Sequence, residues 1–138
     1  MITIKKQEIV KLEDVLHLYQ AVGWTNYTNQ SLMLEQALSH SLVIYLAFDG
    51  DTVVGLIRLV GDGFSSVFVQ DLIVLPIYQR QGIGSALMKE ALGDFKDVYQ
   101  VQLVTDQTER TLGFYRSMGF EILSTYNCIG MTWMNREK

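Results

Sequence analysis

The sequence DLIVLPIYQRQGIGS, residues 71–85, decides the fold of this chain. It begins inside Val67–Val74, which predicts a strand in the interior of a sheet because both alternating faces are largely apolar. It ends where apolar residues start to recur at helical spacing, which predicts a helix over Gly82–Leu92. The stretch therefore joins an interior strand to a helix through a short loop that contains glycines.

The loop Gln79–Gly84 has the features of a phosphate-binding site. The first turn of a helix exposes unpaired backbone N–H groups at the positive end of the helix dipole, and these attract phosphate oxygens. Gly82 and Gly84 would let the backbone approach such a ligand without an intervening Cβ atom, and Arg80 would add a charged contact. A purely structural turn is the alternative explanation of the glycine pair.

Two widespread phosphate-binding motifs do not fit this loop. A Walker loop requires Gly-Lys-Ser/Thr, whereas Gly84 is followed by Ser85 and Ala86. The dinucleotide fingerprint requires a small residue three positions after its second glycine, where this chain has Leu87. Neither motif therefore assigns the ligand.

The rest of the chain alternates between helical and extended patterns. Val15, Leu18 and Val22 recur at helical spacing, and Gly23 follows as a candidate helix end. Two crossover helices predict some parallel pairing and the hairpins predict antiparallel pairing, so we expect a mixed sheet with helices on both faces. After an N-terminal strand and the first helix, the other predicted elements are a helix from about Asn29, the hairpin strands Val43–Phe48 and Thr52–Val60, the strand Val101–Thr105, the helix Thr108–Met118, and a closing hairpin of Phe120–Asn127 and Ile129–Met134.

The composition bounds the classes of function. The chain has 138 residues, 49% of them hydrophobic, so we expect a single domain over residues 1–138. A net charge of −4 without a cluster of Lys and Arg argues against nucleic acid as a partner. With one cysteine, Cys128, and no histidine pair at ligand spacing, we expect no metal. No apolar run approaches about 18 residues, so we expect no membrane partner and a cytoplasmic location.

The motif Gln79-x-x-Gly82-x-Gly84 resembles the Gln/Arg-x-x-Gly-x-Gly/Ala motif of the GCN5-related N-acetyltransferase (GNAT) family. The preceding Asp71–Pro76 resembles the family's central strand, and Phe114–Phe120 resembles its second recurring motif, a helix followed by Gly-Phe and a strand. The resemblance covers nearly the whole chain in order and length. Arg80 and Gln81 depart from the Gly and Lys that many members carry.

The resemblance implies an α/β fold with α+β-type layers, in which a mixed, mostly antiparallel sheet of about six to seven strands is flanked on both faces by about four helices. It implies that two central strands splay apart and that the pantetheine arm of acetyl-CoA lies between them. The pyrophosphate would lie on backbone N–H groups of the loop. The implied cofactor-binding residues are Leu72, Ile73, Val74, Gln79, Arg80, Gln81, Gly82, Ile83, Gly84 and Ser85.

Two residues are candidates for the chemistry. By resemblance, Tyr115 is the acid that protonates the departing thiolate, and a core aromatic side chain is the alternative. Asp71 is polar inside an apolar strand, where burial is costly unless the group is paired or useful. It would accept the amine's proton or attract a cationic substrate, and a structural hydrogen bond is the equally weighted alternative.

The acceptor pocket is less defined by the sequence. Its candidate walls are Trp24, Tyr27, Arg58, Asp62 and Gln70. Because neighbours on a strand point to opposite faces, only one of Gln70 and Asp71 would face the substrate unless a bulge intervenes.

We expect an enzyme that transfers the acetyl group of acetyl-CoA to a primary amine of a small molecule by direct attack in a ternary complex. A non-catalytic acyl-CoA-binding or interaction module on the same fold is one alternative. An enzyme that acetylates a protein or peptide amine is another. The family commonly forms homodimers, and the closing hairpin would offer an edge strand, so we expect a homodimer over a monomer.

Overall fold

The computed structural model describes residues 1–135, which form two compact units, one of residues 1–104 and one that begins at residue 105. The first unit contains the strands β1 (Ile2–Gln7), β2 (Val43–Asp49), β3 (Thr52–Gly61), β4 (Ser66–Val74) and β5 (Gln100–Leu103), and the helices α1 (Leu12–Ala21), α2 (Thr25–Thr28), α3 (Ser31–Ser39) and α4 (Ile83–Asp94). The second unit contains α5 (Glu109–Ser117). Single 3-10 turns cover Pro76–Tyr78 and Leu123–Tyr126.

The sheet has the order β1-β2-β3-β4-β5. Its first four strands pair antiparallel, and β4 pairs with β5 in parallel. The mixed, mostly antiparallel sheet is therefore confirmed. The predicted six to seven strands are wrong, because the sheet has five strands within residues 1–135, and a fifth helix, α2, adds to the predicted four.

The predicted closing hairpin accounts for the difference in strand number. Residues 120–135 contain a 3-10 turn in place of two paired strands. Asn127 ends this turn with a left-handed φ of 59°, and the N–H of Cys128 donates to the carbonyl of Leu123 at 3.2 Å. Backbone hydrogen bonds thus close the turn locally, and residues 129–134 form no strand although their alternating apolar pattern is typical of one.

The core of the first unit lies on both faces of the sheet. On one face, α1 and α3 contribute Leu18, Leu34 and Leu38 to a buried cluster that includes Leu56 of β3. Successive strand residues point to opposite faces, so Gly55 points away from this cluster. A Cβ atom at Gly55 would lie 3.2 Å from Leu87 Cδ1 of α4, so the absence of a side chain allows α4 to pack closely on the second face.

The second unit has well-defined helix ends. The Thr108 hydroxyl accepts from the N–H of Thr111 at 3.2 Å and so caps the start of α5. After α5, Gly119 adopts a φ of 96°, and the N–H of Phe120 donates to the carbonyl of Tyr115 at 3.0 Å. The observed helix, Glu109–Ser117, therefore ends within one residue of the predicted Thr108–Met118 on each side.

Candidate active site

Strand β4 loses one of its partners halfway along its length. It pairs with β5 only over Ser66–Val69, opposite Gln100–Leu103, and keeps its antiparallel pairing with β3 as far as Val74. Within the described part of the chain, residues 70–74 therefore have a strand on one edge only. The splay predicted between these two strands would begin where β5 ends, after Leu103.

The open edge of β4 presents alternate backbone groups. The N–H of Leu75 donates to the carbonyl of Val54 at 2.9 Å, so Leu75 and Ile73 direct their backbone groups towards β3. Leu72 and Val74 consequently direct theirs to the open edge. The predicted pairing of a ligand with this strand therefore fits Leu72 and Val74, whereas the backbone of Ile73 belongs to the sheet.

The side chain of Gln79 occupies part of this edge. Its Nε2 donates to the carbonyl of Val74 at 3.1 Å, and its backbone N–H donates to the carbonyl of Pro76 at 3.2 Å. The N–H of Gln79 is thus already used, contrary to the expectation that it would bind pyrophosphate. Gln79 instead ties the loop to the end of β4.

The start of α4 leaves four successive backbone N–H groups without an acceptor. The first helical hydrogen bond runs from Ala86 to the carbonyl of Gly82 at 3.0 Å. Within residues 1–135, no atom accepts a hydrogen bond from the N–H groups of Gly82–Ser85. These groups point along the helix axis at the positive end of the dipole, which is the arrangement that binds phosphate oxygens.

Two residues of the loop have a positive φ. Gly82 precedes α4 with a φ of 82°, a conformation that glycine adopts without a Cβ penalty, and a Cβ there would meet no atom within 4 Å. Arg80 has a φ of 64° and is exposed. Its guanidinium forms no ion pair with a described residue, so it remains available to a ligand's anion. The side chain of Gln81 is exposed and donates to the carbonyl of Ile77 at 3.4 Å.

Asp71 lies at the centre of a buried polar network. Its carboxylate accepts from the Arg58 Nε at 2.7 Å, the Tyr19 hydroxyl at 2.8 Å and the Tyr27 hydroxyl at 3.0 Å. Asp71 is 2% exposed and Arg58 is 4% exposed. Arg58 also donates to the Ser41 hydroxyl at 3.2 Å. Because three donors surround the carboxylate, this geometry favours the structural interpretation of Asp71 over that of a proton acceptor.

Gln70 occupies a β-bulge next to this network. The register between β3 and β4 pairs Arg58 with Asp71 and Leu59 with Val69, which leaves Gln70 without an opposite residue. Gln70 is exposed, and its Nε2 donates to the Tyr27 hydroxyl at 3.2 Å. The bulge therefore lets a polar side chain face solvent beside a buried carboxylate.

The connector between the first two predicted helices forms the short helix α2. Trp24 precedes it and Tyr27 lies within it, and both are half-buried. The Tyr27 ring packs edge-on against Tyr19 with centroids 5.2 Å apart, and the Trp24 ring lies 6.2 Å from that of Tyr27. Burial, with the nearby Asp71 carboxylate, raises the pKa of Tyr27, so its phenol remains protonated.

Asp62 is engaged in its own turn. Its carboxylate accepts from the Ser65 hydroxyl at 2.6 Å and from the N–H groups of Phe64, Ser65 and Ser66. These hydrogen bonds, led by that of the Ser65 hydroxyl, hold the pKa of Asp62 well below its usual range. This placement favours a turn-stabilising role for Asp62 over that of a pocket wall.

Tyr115 of α5 is half-buried between two aromatic rings. Its ring packs edge-on against Phe114 and Phe120, with centroids 5.0 Å and 5.9 Å apart. Its hydroxyl has no hydrogen-bond partner within the described residues. Burial, with a smaller contribution from the Asp106 carboxylate, raises the pKa of Tyr115. A protonated, unpaired phenol is able to donate a proton.

Sequence reasoning did not assign Tyr19 to the site. It lies in α1 among the apolar residues of the helical stripe and is fully buried, yet its hydroxyl reaches Asp71. A buried carboxylate requires hydrogen-bond donors. For Asp71, this requirement was the one feature of the sequence that pointed to a tyrosine partner.

The described residues contain neither a metal-binding cluster nor a helix that could span a membrane. Among residues 1–135, no group of three His, Cys, Asp or Glu side chains is arranged to hold a metal ion. No helix in the same range is long and apolar enough to span a bilayer.

Comparison with known proteins identifies the family. The family model for the acetyltransferase (GNAT) domain matches residues 40–122, which include β2–β5, the loop, α4 and α5. A solved GNAT-family acetyltransferase from Streptococcus pneumoniae TIGR4 is 83% identical, with 99% of each chain covered and a TM-score of 0.91. A probable acetyltransferase of unknown function from meticillin-resistant Staphylococcus aureus is 26% identical, with 97% of this chain and 99% of that chain covered and a TM-score of 0.80.

Two plant proteins are curated relatives. Serotonin N-acetyltransferase 2, chloroplastic, of Oryza sativa subsp. japonica is 32% identical over 95 residues, which are 66% of this chain and 48% of that protein. GCN5-related N-acetyltransferase 1, chloroplastic, of Arabidopsis thaliana is 28% identical over 117 residues, 82% of this chain and 57% of that protein. This chain thus spans about half the length of these relatives.

Proposed function

This chain belongs to the GNAT family of acetyltransferases, and from that premise we propose that it transfers the acetyl group of acetyl-CoA to a primary amine of a small molecule. The observation that carries the proposal is the row of N–H groups at Gly82–Ser85, which have no acceptor among the described residues. Four N–H groups at a helix start suit the pyrophosphate of CoA. Arg80 supplies an additional positive charge.

The open edge of β4 supports the second half of the cofactor site. The backbone of Leu72 faces this edge, and an extended amide-containing chain such as pantetheine would add to it as a strand does. Val74 faces the same edge, although its carbonyl is held by Gln79. CoA would then be bound mainly by main-chain groups, which constrain few side chains.

Tyr115 is proposed as the general acid. Attack by the neutral amine on the thioester carbonyl forms a tetrahedral intermediate, and the attacking nitrogen releases its extra proton to water. Collapse of the intermediate breaks the C–S bond and expels a thiolate. The raised pKa of Tyr115 keeps its phenol protonated at neutral pH, and its unpaired hydroxyl would give that proton to the sulfur. The assignment rests on the Phe114–Phe120 motif and on this local setting.

Direct attack requires a neutral amine held beside the thioester, and proximity supplies much of the acceleration. The half-buried aromatic pair Trp24 and Tyr27 would suit the apolar part of a compact amine. Since a relative is named for serotonin acetylation, serotonin and other arylalkylamines are the first acceptors to test. The homodimer and the cytoplasmic location remain predictions. The closing hairpin does not form within residues 120–135, so it offers no edge strand there for a dimer.

The experiment is calorimetric titration with acetyl-CoA followed by a free-thiol release assay over a panel of amines. Binding with amine-dependent release of CoA is the expected result. Binding without release from any amine would favour a non-catalytic acyl-CoA-binding module. Absence of binding would contradict the proposal.

A further inference from the structure

We propose that Gln70 binds an N–H group of the acceptor amine through its side-chain carbonyl oxygen, and that Tyr27 and Asp71 position this oxygen. The inference rests on the proposed function, because it describes how that enzyme would hold its acceptor. The directions of the hydrogen bonds around Asp71 support it.

The Asp71 carboxylate determines where the Tyr27 proton points. A guanidinium only donates, and a carboxylate only accepts, so the bond from the Arg58 Nε to Asp71 has a fixed direction. The Tyr27 hydroxyl lies 3.0 Å from the second oxygen of the same carboxylate. Hydrogen bonds to a charged acceptor are roughly twice as strong as neutral ones, so the phenol proton is committed to Asp71.

The committed proton in turn orients the amide of Gln70. With its proton on Asp71, the Tyr27 oxygen only accepts, and it does so from the Arg58 Nη2 at 3.3 Å and the Gln70 Nε2 at 3.2 Å. Reversing the Gln70 amide would place its oxygen against the lone pairs of the Tyr27 oxygen. The network therefore holds the Gln70 nitrogen inward and its carbonyl oxygen outward.

The outward oxygen lies where an acceptor would approach. Gln70 is exposed in the β-bulge, at the point where β4 loses its pairing with β5 and its open edge begins. Within residues 1–135, no group donates a hydrogen bond to this oxygen. It is thus an oriented hydrogen-bond acceptor that the fold does not use.

The chemistry of this oxygen defines the class of ligand. A carbonyl oxygen accepts from the N–H of a primary or secondary amine and repels a carboxylate. Being neutral, it does not stabilise the ammonium form as a nearby carboxylate would, so the nucleophilic neutral amine is not disfavoured. Asp71 itself is enclosed by three donors and is 2% exposed, so Gln70 presents an acceptor in its place.

The first variant is Gln70→Ala. Loss of about one hydrogen bond should raise the KM for the amine about 5- to 10-fold, while kcat and the KM for acetyl-CoA change less than about twofold. Gln100→Ala, an exposed glutamine at the start of β5, is the matched control and should leave all three constants unchanged. An unchanged amine KM in Gln70→Ala would overturn the proposal.

The second variant, Tyr27→Phe, tests the positioning. Without the phenol, the Gln70 amide is free to reverse, so the amine KM should rise about 2- to 3-fold, less than the effect of losing one hydrogen bond. In the Gln70→Ala background the same change should add nothing, because there is no oxygen left to orient. Full additivity of the two effects would show that Tyr27 acts only on the structure, and would overturn its positioning role.

The controls distinguish misfolding of a variant, failure of this inference and failure of the proposed function. Thermal melting of each variant establishes that it is folded, and if Tyr27→Phe does not fold, Gln70→Ala alone decides because its side chain is exposed. Amine-dependent release of CoA by the unmodified protein, with no change in Gln70→Ala, would overturn this inference and leave the proposed function standing. Failure of the unmodified protein to acetylate any amine would overturn both.

Discussion

Two regions of the first unit treat their polar groups in opposite ways. Around Asp71, a buried carboxylate, a buried guanidinium, the buried Tyr19 phenol and the half-buried Tyr27 phenol satisfy one another. At Gly82–Ser85, four backbone N–H groups have no acceptor among the described residues. The polar groups of the first region are already paired with one another, so a ligand would add no hydrogen bonds there. The N–H groups of the second region gain free energy when they bind a ligand with anionic oxygens. A binding site is therefore identified by what the fold leaves unpaired, and a buried charge need not be catalytic.

The largest effect is expected from breaking the satisfied region. Asp71→Ala leaves the Arg58 guanidinium buried without its carboxylate, which should lower the free energy of unfolding by about 3–5 kcal/mol. Urea unfolding measures this loss. Asp97→Ala, at an exposed carboxylate, is the control and should change stability by less than about 0.5 kcal/mol. A loss below about 1 kcal/mol in Asp71→Ala would show that the network does not stabilise the fold.

The second effect concerns the Tyr115 hydroxyl, which has no hydrogen-bond partner among the described residues. Tyr115→Phe should lower kcat about 100-fold or more and leave the Kd for acetyl-CoA unchanged, because a general acid acts on the leaving group. The raised pKa of Tyr115 predicts that the rate of the unmodified protein does not fall with deprotonation of this phenol before about pH 10. Tyr126→Phe, at an exposed tyrosine, is the control. An unchanged kcat in Tyr115→Phe would remove Tyr115 from the chemistry.

A matched pair of glycine substitutions sharpens the contrast at the helix start. Gly82→Ala forces a left-handed φ on alanine and should cost roughly 1–2 kcal/mol of stability, while Gly93→Ala within α4 should add about 1 kcal/mol. Only Gly82→Ala should weaken acetyl-CoA binding, about 10-fold, by shifting the N–H groups. Calorimetry and thermal melting measure both quantities. Equal affinity in the two variants would contradict the loop assignment.

The smallest effect is a pH dependence at Asp62. Its pKa is depressed in the fold, so its contribution is present above the unfolded pKa of 3.8 and is lost as the pH falls through the folded value. The Tm difference between the unmodified protein and Asp62→Ala should therefore be larger at about pH 7 than at about pH 3. A difference that grows on acidification would contradict the turn hydrogen bonds.

Local patterns predicted most of the fold. The strand Thr52–Val60 and the helix Thr108–Met118 were placed within one residue of their observed ends, because turn residues and periodicity are local signals. The prediction of a closing hairpin was wrong because strand pairing is not a local signal. Alternating apolar residues such as Ile129 and Met131 suit a strand, but a strand also needs a neighbouring strand to hydrogen-bond with, which a local pattern does not specify.

The same distinction between local and long-range features applies to the candidate site. The glycine loop is visible in the sequence because its function depends on consecutive backbone groups. The network of Asp71 is not, because Tyr19 lies 52 residues away along the chain and reaches the carboxylate only through tertiary packing. The bulge at Gln70 depends on the register between two strands, and the sequence of one strand does not determine it.

The most direct test is a titration of isotopically labelled protein with CoA, observed through its backbone amide resonances. We expect the largest shifts at the amides of Gly82–Ser85, smaller shifts at the open edge of β4, and little change at the amides of Arg58 and Tyr19. Binding with the largest shifts elsewhere, or no shifts at Gly82–Ser85, would contradict the claim that these unpaired groups hold the cofactor.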